Sequence, residues 1–263
     1  MTQAAEEQLL SRCMHEKGFR YRPVRLPEEA GRPDRNPYGL LTPQEAATDG
    51  LGVVSARLNQ GPPRDPNTKE SSRPGWDRAL LGTSSHRVTV RLPHDQAYFY
   101  NSDSCTTRMT SQLYGQRYEK LYNTYQVWTM QVVSTVEKRS SFKAAQRRWA
   151  ACMRDEGAGV TSLSEPANKV EKALRQARGK RHGLRSVMKT ELRLARLNAS
   201  CQRRVKLAAT VATLQQEAER DVLGRLTGTQ SDLRELRERA LERARRLVNS
   251  PGNQLSGTPA GAR

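Results

Sequence analysis

Cys13-Met-His-Glu-Lys-Gly18 and Cys152-Met-Arg-Asp-Glu-Gly157 are two copies of one pattern, Cys-Met-x-acid-charged-Gly, in a chain of 263 residues. Each copy closes an apolar stripe of helical spacing. Leu9, Leu10, Cys13 and Met14 predict a helix from about Gln3 to Lys17, stopped by Gly18. Phe142, Ala145, Trp149 and Cys152 predict another, capped by Ser140 or Ser141 and ended by Gly157. Each copy is followed, after an excursion, by a helix with a lone cysteine on its apolar face: Cys105 in the first case, Cys201 in the second. The chain therefore reads as two units of one grammar. The units are expected at residues 1–140 and 141–249, with residues 250–263 as a polar, disordered tail.

Four cysteines allow three disulfide connectivities, and the repeat selects Cys13–Cys105 and Cys152–Cys201. Three other uses of the thiols stay open. A cysteine is a common core residue when free. Zinc would prefer a Cys-x2-Cys pair or a nearby histidine, whereas these four are isolated. A catalytic thiol would need an orienting histidine, and His15, His86, His94 and His182 form no such pattern. Disulfides persist outside the cytosol. The opening Met1-Thr-Gln-Ala-Ala-Glu-Glu is instead acidic where a secretory leader would be basic, so it reads as lacking an export signal.

Between the copies, Arg22 to Gly75 is rich in Pro and Gly and is expected to be a long loop, with one helical turn where Thr42 caps Pro43. His86 to Pro93 alternates Val88, Val90 and Leu92 with polar residues and predicts a strand, whose partner is expected in the loop before it. A helix carrying Cys105, Met109 and Leu113 follows a cap at Ser102 or Asp103 and ends at Gly115. Tyr118, Leu121, Tyr122, Tyr125, Trp128, Val132 and Val136 then mark a long helix with an aromatic stripe, read as core. Beyond the second Cys-Met copy, helices are expected from Ser164-Glu165-Pro166, from about Ser186 to Leu223, and from about Ser231 to Val248. The longest of these is expected to bury Leu194, Leu197, Cys201, Val205, Ala208, Ala212 and Val222. The fold class is thus mainly α: antiparallel helical hairpins or a bundle closed by two disulfides, with a long Pro/Gly-rich loop and a minor β element.

The formal net charge is +18, from 45 basic and 27 acidic residues. Residues 141–263 hold +14 of it, and Lys169 to Lys206 alone has 13 basic residues against Glu171 and Glu191. Lys180, Arg181, Arg185, Arg193, Arg196, Arg203 and Arg204 are the candidate anion-contacting surface. A bland origin competes: 35 of the 45 basic residues are Arg, as a GC-rich genome alone produces, and such a run is commonly a solvated helix face. No zinc-finger spacing or base-stacking signature accompanies the charge, so sequence-specific nucleic-acid readout is not expected. No window is apolar enough for a transmembrane segment.

Cys13-Met-x-x-x-Gly-Phe19, Val88-Thr-Val-Arg-Leu-Pro93, Ser104-Cys105 with Leu113-Tyr114-Gly115, Trp149-x-x-Cys152-Met-x-x-x-Gly157 and Cys201 occur in that order. In this they resemble uncharacterised secreted or lipid-anchored helical proteins of actinobacteria, over about residues 5–220. The resemblance implies an extracytoplasmic, non-catalytic envelope protein and brings no active site. In the second Cys-Met copy, Ala158-Gly159 stands where an apolar or aromatic residue would match Phe19.

Phosphate-binding glycine loops, His-Glu-x-x-His and Gly-x-Ser-x-Gly are not found, and the pairs Glu6-Glu7, Glu28-Glu29 and Asp155-Glu156 read as exposed acids. No catalytic residue, cofactor site or metal site is expected. Two functions follow from different classes. One is an exported helical scaffold or binding module whose basic surface meets an anionic envelope polymer, a membrane surface or an envelope protein. The alternative is a cytoplasmic, coiled-coil-like basic protein with reduced cysteines that binds nucleic acid non-specifically through phosphates.

Overall fold

The computed structural model describes residues 1–24, 36–59, 65–177 and 181–249. The expected tail at 250–263 lies outside the described residues, as do parts of the expected loop at 25–35 and 60–64. Twelve α-helices and one antiparallel pair of strands are present among the described residues, so the fold is mainly α with a minor β element. Cys13 is bonded to Cys105 and Cys152 to Cys201, with Cα–Cα distances of 5.6 and 5.8 Å.

The chain divides into two compact units, each assembled from separated stretches. The first comprises Met1–Ala30, Arg64–Thr129 and Gly224–Arg263; the second comprises Gly31–Pro63 and Met130–Leu223. The division therefore does not follow the chain order of 1–140 and 141–249.

In the first unit, α1 (Thr2–Glu16) packs against α6 (Cys105–Tyr114) and α5 (Trp76–Leu81). Leu10, Cys13, Met14, Trp76, Ala79 and Cys105 make one core cluster, with Phe19 edge-on and Tyr21 stacked against the Trp76 ring. The helix α12 (Leu223–Asn249) brings Ala240 and Ala244 onto Ala5, Leu9 and Leu113, where the small side chains allow close approach. Arg243 donates to the Leu113 carbonyl at 2.7 Å, closing the C-terminal turn of α6.

In the second unit, α8 (Ser140–Asp155) and α10 (Arg181–Arg204) cross at the disulfide. Around them lie α2 (Pro43–Thr48), α3 (Val53–Asn59), α9 (Glu165–Gln176) and α11 (Leu207–Arg220). Trp149, Met153, Val170, Ala195 and Cys201 are fully buried at the centre.

The repeated motif has a single physical meaning in both units. The Phe19 N–H donates to the Met14 carbonyl and the Gly18 N–H to the His15 carbonyl, both at 2.9 Å. The Ala158 N–H donates to the Met153 carbonyl at 2.8 Å and the Gly157 N–H to the Arg154 carbonyl at 2.9 Å. This is the left-handed helix stop, in which glycine alone avoids the Cβ penalty of a positive φ, here +83° and +77°. One turn before the glycine, each methionine is fully buried and each cysteine is in the core. Cys-Met-x-x-x-Gly is thus a bonded helix end.

Several readings are corrected by the fold. The Pro/Gly-rich stretch holds more helix than one turn. Thr42 and Glu45 do form a capping box on α2 with Pro43 in its first turn, but α3 and α4 (Thr68–Ser71) are also helical. The N-terminal amides of α3 are satisfied by Glu191, which accepts from Val53 at 2.6 Å and Val54 at 3.2 Å. That cap lies some 138 residues away along the chain and is invisible to local sequence. The strand β1 (Arg87–Arg91) pairs with β2 (Ala97–Asn101), which follows it rather than precedes it, in the register Arg87 opposite Asn101. His94 and Asp95, with φ of 57° and 54°, supply the tight hairpin turn. The cap of α6 is Ser104, which accepts from Thr107 at 3.0 Å, not Ser102 or Asp103; α8 starts after Arg139 with no side-chain cap.

The expected helix from Ser186 to Leu223 is two helices. Lys206 turns left-handed, with φ 54°, between α10 and α11. The break shifts the buried phase from Ala208 and Ala212, which are exposed, to Leu207, Val211, Leu214 and Ala218. Larger side chains enter the core in exchange for the cost of one left-handed residue, about 1–2 kcal/mol. The aromatic stripe of α7 (Tyr118–Lys138) is core only from Trp128 onward; Tyr118 and Tyr125 are half-buried and Tyr122 is exposed.

Three tyrosines of the first unit resist ionisation. Burial foremost, then the charge of Glu119 and the neighbouring Tyr100, pushes Tyr98 up to about 12. Burial and the carboxylates of Glu7 and Glu6 raise Tyr21 and Tyr114 above the ordinary value of 10.0. The Tyr21 hydroxyl donates to Glu7 at 3.0 Å and that of Tyr114 to Glu6 at 2.5 Å. Between the unfolded and folded values the native state holds more protons than the unfolded chain. Their stabilisation is therefore complete below the ordinary value of 10.0 and is lost as pH rises above it, through about 12 for Tyr98 and higher still for Tyr21 and Tyr114. Thermal midpoints measured across that window should fall steadily; a flat profile would contradict this account.

Candidate anion-binding surface

Helix α10 supplies the surface because its two faces differ in chemistry. Val187, Glu191, Leu194, Ala195, Asn198, Ala199, Cys201 and Gln202 point into the core. Arg185, Lys189, Arg193, Arg196 and Arg203 are exposed. At 100° per residue, positions 185, 189, 196 and 203 fall in a sector about 40° wide, over roughly 27 Å of helix. Glu191, the acid of α10, is turned inward to the amides of α3 and is only 4% exposed. Among the described residues none of the five outward cations forms an ion pair with a carboxylate, so no such pairing offsets the charge of the stripe there.

The expected set is partly redistributed. Arg185, Arg193, Arg196 and Arg203 share this helix and its outer surface. Arg204 is exposed but is paired with Glu156 at 3.2 Å, which removes it from the unpaired stripe. Lys180 lies outside the described residues; Arg181 begins α10, and its side chain is outside them too. Sequence reading passed over Lys189, although its spacing of four from Arg185 and seven from Arg196 places it on the same line. Lys189, Arg193 and Arg196 line a shallow, open groove of about 500 Å³ together with Leu192, Leu197 and Ser200. No family model, curated protein or solved structure matches this chain.

One cluster elsewhere brings a serine, a histidine and an aspartate together. Ser85 Oγ, Asp103 Oδ2 and Thr83 Oγ1 lie 3.1, 3.4 and 2.9 Å from His86 Nδ1. A nucleophilic relay needs the aspartate and the nucleophile on opposite ring nitrogens. Here three oxygens crowd one nitrogen, and Asp103 also accepts from the Thr83 amide at 3.0 Å. That amide, foremost, holds the Asp103 carboxyl below its ordinary range. The cluster is a clasp at the base of the hairpin. Among the described residues no three His, Cys, Asp or Glu side chains come together as metal donors, and no helix is long and apolar enough to cross a membrane.

Proposed function

We propose that the protein is a non-enzymatic, extracytoplasmic helical module of the cell envelope that docks to anionic material through the outer face of α10. The observation that carries this reading is the pair of buried disulfides, one in each compact unit. Bonds of this kind persist in oxidising compartments and are rare in the cytosol. The unpaired cations of α10 supply the docking half of the reading, and the likeness of the Cys-Met motifs to secreted or lipid-anchored actinobacterial proteins agrees with it.

The test is peptide mapping without reductant on protein taken from its native compartment. Cross-linked peptides carrying Cys13 with Cys105 and Cys152 with Cys201 are expected; free thiols at all four positions would overturn the reading. The same cations favour a second function, phosphate-mediated binding of nucleic acid in the cytoplasm. That reading requires reduced cysteines and retention on DNA that falls steeply with salt. No retention at low salt removes it.

A further inference from the structure

The groove on α10 combines two chemistries that a soluble polyanion would not need together. Lys189, Arg193 and Arg196 line it together with Leu192 and Leu197, which by helix geometry lie on either side of the three cations. Both leucines are half-buried in the unit and still reach the groove surface. Met188, one turn before Leu192, is 41% exposed on the same side of the helix. Long basic side chains beside apolar ones are the chemistry of an interfacial helix: cations meet lipid phosphates while methylene and leucyl carbons meet the first acyl carbons.

We propose that α10 docks the second unit on an anionic lipid bilayer, with Lys189, Arg193 and Arg196 on headgroup phosphates and Leu192 and Met188 at the acyl boundary. This rests on reading α10 as the anion-docking face and commits that face to one occupant. Charge complementarity argues for it, since four of the five unpaired cations lie along one line of the helix, Arg193 lies beside them, and its one acid, Glu191, is turned inward. The apolar side chains beside the cations favour lipid over polymer, because a polyphosphate or acidic polysaccharide gains nothing from Leu192 or Met188. Among the described residues no helix is long and apolar enough to cross a membrane.

The full chain, with its disulfides intact, is to be sedimented with vesicles of phosphatidylcholine alone and with phosphatidylglycerol added, and its binding to soluble inorganic polyphosphate measured in parallel. Binding is expected to the anionic vesicles and not to the neutral ones. Each basic residue near a membrane surface is worth about a fivefold change in binding, so Arg193→Gln with Arg196→Gln should weaken vesicle binding about 25-fold. Leu192→Gln should weaken vesicle binding about fivefold and leave polyphosphate binding unchanged. Met188→Gln, at an exposed position, repeats that test without touching the core, and circular dichroism verifies the fold of each variant. Equal binding to both vesicle types overturns the proposal. So does full vesicle binding by the arginine variant, or by both apolar variants. If polyphosphate binds tightly while the apolar variants are silent, the lipid assignment fails and the anionic-polymer form of the proposed function stands. If neither vesicle nor polyphosphate binds, both readings of α10 fall.

Discussion

Replacing Cys152 and Cys201 together by alanine is expected to destabilise the protein by about 4 kcal/mol, and replacing Cys13 and Cys105 by nearly 5 kcal/mol. The chain-entropy argument sets these values: the bonds join residues 49 and 92 positions apart, and the cost of closing such loops rises only with the logarithm of their length. Measured against a typical total of about 5–15 kcal/mol, either loss is a large fraction of the stability. Alanine is the informative replacement, since a serine hydroxyl at Cys105 or Cys201 would be buried in an apolar cluster. Urea unfolding without reductant measures the effect directly. A loss under about 1 kcal/mol for both pairs would show that the loops are held closed by packing alone. The two helix stops should survive in each variant, because their hydrogen bonds run through the backbone.

The same helix stops mark what was legible in the sequence. Gly18 and Gly157 announce the ends of α1 and α8, and the repeated cysteine before them, with Cys105 and Cys201, was enough to select the pairing that the structure has. Those signals lie within a few residues of what they control. The readings that failed depend on partners distant in sequence. Nothing near Val53 shows that Glu191 will cap α3, and nothing near Asp103 shows that Thr83 will occupy its carboxylate and leave Ser104 to cap α6. The break at Lys206 was in part readable. Leu207, Val211, Leu214 and Ala218 form a stripe of their own at spacings of four, three and four, out of phase with Ala208 and Ala212. Volume decides between the phases, since Leu and Val bury more apolar area than Ala. At the basic surface, the charge density of Lys169 to Lys206 was plain in the composition. Which cations stay unpaired required the fold, because the Glu156 that neutralises Arg204 lies 48 residues earlier.

Asn198→Ala is expected to cost about 3 kcal/mol, more than most single changes outside the disulfides. The Asn198 side-chain oxygen accepts from Trp149 Nε1 and from Gln202 Nε2, each at 2.9 Å, in the fully buried centre of the second unit. Gln202 in turn donates to the Gly39 carbonyl and accepts from the Leu41 amide, both at 2.9 Å. One polar chain thereby ties α8, α10 and the segment before α2 together. Loss of the acceptor leaves the Trp149 indole N–H buried without a partner, at about 1–3 kcal/mol, and the missing amide leaves a void beside it. Gln202 keeps its Gly39 bond, so its share of the loss is smaller. Trp149→Phe in the Asn198→Ala background separates these contributions. With no indole donor left to orphan, the second substitution should cost less than it does alone, by roughly 1–2 kcal/mol of coupling in urea unfolding. Strict additivity would mean that the ring is held by its apolar neighbours alone. The tie between α8 and α10 would then rest on the disulfide and on packing against Met153 and Ala195, which lie in the same core cluster.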